Sequence, residues 1–253
     1  YEQDKESRRD CLDVFTKGLD LLGIKIEERE QPFPGATGVN HPLLAEAVTQ
    51  FQAQAYKELL PAGGPVKTRV MGNESPEVMA QSQRVKEFMN YQITDVMKEY
   101  DPEMDSLLFY LPLAGSAFKK VYYDNLLGRA TSRLVKAEDL VVAYETTDLE
   151  TSPRFTHVMS MTGNDLKKLQ LAGSYRQTEI GETADLDYNE AKEKIDELQG
   201  ITKPITDYDE YTVLELHVDL ELEDDDNYGF AVPYVVTILE DKSEILSIRR
   251  NWK

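Results

Sequence analysis

The sequence is poor in the residues that build metal and redox centres. Its 253 residues include one cysteine, Cys11, and three histidines, His41, His157 and His217. A single cysteine excludes an internal disulfide framework and a cysteine-built zinc site. It suits a reducing, intracellular compartment, with Cys11 as a small apolar residue on a helix. The histidines lie far apart, and none has a second His or Cys at ligand spacing, so they define no metal centre. No apolar run reaches the roughly 18 residues that a membrane-spanning helix needs. The opening, Tyr1-Glu2-Gln3-Asp4-Lys5, lacks the basic and apolar regions of a secretory signal.

Positive charge is also scarce. There are 28 Lys and Arg against 47 Asp and Glu, a net charge of −19. The imbalance is local: Glu179 to Asp226 holds 18 acidic and 3 basic residues, a net of −15. Such a balance argues against a module that clasps nucleic acid, because that needs clustered Lys and Arg to displace counterions. It remains compatible with a surface that DNA slides past without sticking. The simpler reading is a solvated acidic face.

Catalytic signatures are missing too. Asp224-Asp225-Asp226-Asn227 suggests calcium, and Gly229 falls at the sixth position of an EF-hand loop. The twelfth position is Val235, however, and the flanks read as strands, so this is an acidic hairpin tip. Pro61-Ala62-Gly63-Gly64-Pro65-Val66-Lys67-Thr68 lacks the Walker spacing, and Pro65 removes a donor, so it reads as a helix stop. No GxGxxG or GxSxG occurs, and no Ser sits in a nucleophile elbow. With 47 acids, no single carboxylate pair is informative. Lys119, Lys120, Arg129, Arg133 and Lys136 gather on one hairpin, where they either touch phosphate or pair with neighbouring acids; pairing is the expectation. No catalytic, cofactor-binding or metal-ligating residue is nominated, no cofactor is expected, and the chain is read as a non-enzyme.

What is present is a change of period. Residues 2–22 predict a helix with Leu12, Phe15, Leu19 and Leu22 on one face, stopped at Gly23. Ile24-Lys25-Ile26 reads as a short strand and Gln31 to Gly35 as a loop. A second helix starts at Asn40-His41-Pro42, with Pro42 in its first position and Leu44, Val48, Phe51, Ala55 and Leu59 as its buried stripe. A brief strand, Val66 to Met71, follows. Ser75 and Pro76 open a third helix, with Val78, Val85, Met89, Gln92, Val96 and Tyr100 along one side. Asp101-Pro102 restarts an apolar helix through Leu107, Leu108 and Leu111.

From residue 116 the period becomes two. Phe118 to Tyr123 and Thr131 to Val135 read as a hairpin closed by Asp124 to Gly128, with a positive φ at Gly128. Leu140 to Tyr144 and Arg154 to Met161 read as strands, and Asn164 to Leu171 as a helix. Tyr188 to Leu198 reads as an exposed acidic helix within a partly mobile stretch, 174–210. From Thr212 to Leu222 the even positions are apolar and the odd ones polar, which predicts one buried and one wet face, with His217 solvated. Val232 to Leu239 and Ile245 to Ile248 complete an antiparallel meander. The expected class is α+β: one region spanning 1–253, mainly helical over 1–115 and mainly antiparallel strands over 116–253.

Several stretches together resemble the portal proteins of short-tailed, podovirus-type phages. They are GLDLLGIKIEE (Gly18 to Glu28), PFPGATGVNHPLLAEAVTQFQAQAYKEL (Pro32 to Leu59) and GPVKT (Gly64 to Thr68), then LPLAGSAFKKVYYD (Leu111 to Asp124) and AEDLVVAYETTDLE (Ala137 to Glu150). VLELHVDLELED (Val213 to Asp224) and PYVVTILEDKSEILSIRRNW (Pro233 to Trp252) follow. Their order and spacing carry the resemblance, which is least clear between Tyr175 and Asp209. It implies a structural subunit of a dodecameric ring at a capsid vertex, with DNA passing non-specifically through its channel. Implied partners are further copies of the subunit, the terminase packaging motor, and capsid and tail or adaptor proteins, with no membrane. The implied location is the virion, assembled in the host cytoplasm. Because family members are longer, the chain resembles their N-terminal wing region. The alternatives are another virion structural or adaptor module and an acid-rich hydrolase.

Overall fold

The computed structural model describes residues 1–22, 33–35, 41–181, 210–222 and 229–251. The strand expected at Ile24 to Ile26 and the acidic helix expected at Tyr188 to Leu198 lie outside them, as does the tip Asp224 to Asn227. The fold is α+β, with N-terminal helices followed by antiparallel sheets. Two compact units form, one from Tyr1–Lys17 with Glu138–Lys253 and one from Gly18–Ala137. The boundary between helical and strand-rich sequence falls inside the second unit, where the first hairpin begins at Ala117.

The first unit is built on a five-stranded antiparallel sheet in the order β3-β4-β5-β6-β7. Its strands are β3 (Leu140–Val142), β4 (Arg154–Thr162), β5 (Glu210–Leu220), β6 (Val232–Leu239) and β7 (Glu244–Arg250). β5 is central, so both of its faces acquire cover. Leu214 is buried as the alternation predicts, but so are Tyr211 and Val213 on the face expected to be wet. They join Leu166, Leu239 and Leu246 in one core, each of those three 1% exposed. Leu166 comes from α6 (Gly163–Leu171), whose first turn is capped by Thr162 accepting from the Asp165 amide. Polar alternation therefore survives only where no helix lies on the sheet. His217 illustrates the remainder: it is not freely solvated but stacks on Phe155 across β4 and β5, centroids 4.3 Å apart, with Glu215 at 3.2 Å.

The stretch after α6 is docked as far as it is described. The Arg176 amide donates to the Leu246 carbonyl at 2.7 Å, Tyr175 and Ile180 pack on the core, and the Tyr211 hydroxyl donates to the Gly181 carbonyl at 2.6 Å. Residues 182–209 of the stretch expected to be mobile lie outside the described residues.

The expected single helix over 2–22 is two, α1 (Glu2–Ser7) and α2 (Arg9–Leu21), broken at Arg8. Long-range bonds explain the break. The Arg8 guanidinium donates to the carbonyls of Glu138 and Leu140 beside β3. Asp4 takes two bonds from Arg154 on β4, at 2.7 and 2.8 Å. The sequence periodicity carries no trace of either partner. Phe15, Leu19 and Leu22 are buried as their spacing predicts.

The second unit holds α3 (Leu43–Leu59), α4 (Pro76–Tyr91) with a π-helical turn at Gln92–Val96, α5 (Tyr100–Ala114), and the hairpin β1 (Ala117–Asp124) and β2 (Arg129–Lys136). Pro42 caps α3 rather than opening it. The stripe of α3 is rotated from the expected one. Val48 is buried, but Phe51 and Leu59 are 42% and 51% exposed, and Gln52 and Tyr56 turn inward instead. They bond Asp105 (2.7 Å) and Asp101 (2.5 Å) on α5. The side expected to be buried on α4 is likewise open, and no residue of that helix is buried. Tyr91 ends its regular turns and Gly115, at φ 75°, ends α5.

Candidate functional site

The second unit has two cationic places, one singled out by sequence and one not, and they behave in opposite ways. The first is the β1–β2 hairpin. Its loop forms as expected: Asp124 accepts from the amides of Leu126 and Leu127, and Gly128 has φ 64°. Its cations are engaged. Arg129 meets Glu99 at 2.8 Å, and Arg133 meets Glu103 at 3.1 Å. Each glutamate also accepts a β2 amide, Glu99 from Ser132 and Glu103 from Leu134. The hydrogen bond from Arg129 is the main reason Glu99 is held well below the ordinary carboxylate range, at about 2. Lys119 lies 3.9 Å from the centre of the Tyr100 ring, and burial pushes its pKa down. An ammonium over an aromatic face is attracted to the ring quadrupole. Lys120 and Lys136 also have partners. The hairpin is thus clamped to α5 by ionic and hydrogen bonds, as the pairing expectation holds, and its charges are spent internally.

The second place follows Pro61-Ala62-Gly63-Gly64-Pro65. Here no strand ladder forms, contrary to the strand expected at Val66 to Met71. The segment instead lies along α4. The Asn90 side chain accepts from the Val66 amide (2.9 Å) and donates to the Val66 carbonyl (3.2 Å), doing the work of a neighbouring strand. The Thr68 hydroxyl donates to the Ser82 carbonyl at 3.3 Å. The two anchors on α4, Asn90 and Ser82, are eight helical positions apart, about 12 Å of helix, and two fully extended residues span about 7 Å; the segment runs extended, and the Asn90 and Thr68 side chains reach the rest of the way. Burial alternates accordingly, with Val66, Thr68 and Val70 half-buried and Lys67, Arg69 and Met71 exposed. Gly64, at φ 88°, permits the close approach: a Cβ there would sit 2.5 Å from the Asn90 amide.

A groove of about 600 Å³ runs between this segment and α4, lined by Lys67, Arg69, Lys86, Glu74, Met79 and Ser82 among others. Among the described residues, the side chains of Lys67, Arg69 and Lys86 make no ion pair or hydrogen bond. Sequence reasoning missed this groove, although the alternation Val66-Lys67-Thr68-Arg69-Val70 was its signal.

The histidines do not converge. His41 is exposed, His157 and His217 lie on neighbouring strands within the five-stranded sheet, and among the described residues no group of three His, Cys, Asp or Glu is placed to hold a metal. Cys11 is exposed on α2. No helix of the described residues is long and apolar enough to cross a membrane. Burial raises Glu240, and its neighbour Tyr1 is raised in turn, first by burial and then by the charge of Glu240. What the described residues define is an α+β fold whose second unit carries a closed cationic hairpin and an open cationic groove. No family profile matches the chain, and no curated protein matches it significantly.

Proposed function

We propose that the chain is the wing region of a phage portal subunit, a structural component of the ring through which DNA enters and leaves the capsid. The observation that carries this reading is the ordered series of portal-like stretches from Gly18 to Trp252. The surface of the second unit supports it. Val78, Met79, Val85, Phe88, Met89 and Tyr91 on α4 are 38 to 59% exposed, and Phe51 and Leu59 on α3 are exposed as well. Exposed apolar side chains in this number fit a protein that assembles. The charge distribution is compatible too. Of the 47 acids and 28 bases, residues 18–137 hold 15 and 13, a net of −2; the rest of the chain, with 32 and 15, carries −17. An acidic body of this kind repels phosphate and lets DNA pass without adhering.

In this reading the subunit docks the packaging motor and tail components and performs no catalysis itself. Native mass spectrometry of the full-length gene product tests it. A closed ring of about a dozen copies is expected. A full-length product that stays monomeric overturns the reading and favours an adaptor module, which the exposed α4 face would serve equally well.

A further inference from the structure

We infer that Val66 to Met71 is a receptor edge for an acidic, extended peptide segment of a partner protein, which adds to it as a strand. The reading is independent of the ring. Backbone N–H and C=O groups are obligatory hydrogen-bonding groups. From Lys67 to Met71 none of them finds a protein partner among the described residues, while the side chains of Asn90 and Ser82's carbonyl hold the opposite side of the segment against α4. The result is a pre-stretched, anchored edge with its ladder positions open. Such edges bind extended peptides through main-chain bonds, and alternate side-chain sites give specificity.

Charge selects the occupant. Lys67, Arg69 and Lys86, whose side chains have no partner among the described residues, border the groove, whereas the Arg residues on the hairpin and on β4 are matched to carboxylates. Lysine and arginine on an open edge repel a like edge, which disfavours pairing with a second copy of the same segment. They favour a strand whose alternate side chains are Asp or Glu. A nucleic-acid strand fits less well. Phosphodiesters accept hydrogen bonds but donate none, so half the edge would stay unmet. Glu74 also lines the groove, and its lining holds no aromatic ring on which a base could stack. Met79 and Val70 offer apolar contact for the side chains between the acids.

The test uses the whole chain and a fluorescein-labelled peptide of about six residues, an ordinary strand length, alternating Val and Glu. Anisotropy should show saturable binding, with the Val–Gln peptide about tenfold weaker or worse. The double variant Lys67→Gln, Arg69→Gln, at two exposed positions, should lose about tenfold while its circular dichroism is unchanged. N-methylation of one alternate set of peptide amides should abolish binding, and methylation of the other set should not, because a strand pairs through one edge. Equal loss from both sets, equal binding of the double variant, or absence of saturable binding overturns the proposal. So does tighter binding of an oligothymidylate of similar length, which would make the groove a nucleic-acid surface.

Discussion

The two units solve the same folding problem with different materials. The sheet unit buries Val213, Leu239, Leu246 and Leu166 almost completely and carries nearly all of the net charge. The helical unit has a nearly neutral balance and an α4 with no buried residue. It is held in part by polar clamps: Glu99–Arg129, Glu103–Arg133, Asn90 on Val66, and Gln52 and Tyr56 on α5. A dry core stabilises through apolar area and has little left to offer a partner. Clamps fix geometry at a few points and leave apolar and cationic surface open. One unit buries its apolar side chains in a closed core, whereas the other leaves apolar side chains exposed along α4.

The largest effect should come from emptying the dry core. Leu239→Ala removes a fully buried side chain from β6 and should cost about 3 kcal/mol, the usual range for such cavities. Hydrogen exchange should quicken first in β5 and β6 and leave α3 and α5 protected. Equal loss across both units would show that they unfold as one, and the contrast between them would fail.

Next comes a clamp. Glu99→Ala strands Arg129 and the Ser132 amide and should cost about 2 kcal/mol, the scale of hydrogen bonds to charged groups. The pH dependence has a defined sign. The folded pKa of Glu99, about 2, lies below its ordinary 4.5. Its contribution is therefore complete above pH 4.5 and is lost as pH falls toward 2. Glu99→Gln should flatten the acid limb of a stability profile in that window. An unchanged limb would mean that other carboxylates, such as the similarly lowered Asp4, dominate acid unfolding.

Asn90→Ala is smaller. It removes both bonds to Val66 and should cost about 1–2 kcal/mol. Its sharper signature is faster exchange confined to residues 66–71, together with weaker capture of the acidic peptide. Ser75→Ala, which removes the α4 cap bond to the Val78 amide, should cost about 1 kcal/mol in a thermal melt.

These sites also mark where sequence was legible. Period-two alternation located β5 and β6, Gly128 marked the hairpin turn, and Ser75-Pro76 marked the start of α4, because each signal is local. Helical period was read correctly on α2 but misplaced on α3, where Gln52 and Tyr56 face α5 and Phe51 does not. Amphipathic pattern assumes that apolar means inward, and that assumption fails where apolar side chains such as Phe51 and Leu59 stay exposed. The clamps were hidden for another reason: Glu99 and Arg129 are 30 residues apart, and Asp4 and Arg154 are 150 apart. The hairpin's cations were visible as a group and their pairing was expected, but the particular acids required the fold. The groove cations drew no notice because their isolation is a property of what surrounds them.

The smallest effect on the isolated chain should be the most informative. Phe88 projects from α4 with 59% of its surface exposed. Serine has about the same helix propensity as phenylalanine, so Phe88→Ser should leave the melting temperature of this chain unchanged within about 0.5 kcal/mol. In the ring-forming portal subunit proposed above, the same substitution should weaken self-association, since burying an aromatic side chain contributes about 1.5–3 kcal/mol. Light scattering on both proteins separates the two roles. A loss of assembly with an unaltered melt assigns α4 to an interface and holds the units apart in purpose. A lowered melt in the isolated chain would place Phe88 in the packing of the fold, and the exposed face would then be part of an ordinary surface rather than one reserved for a partner.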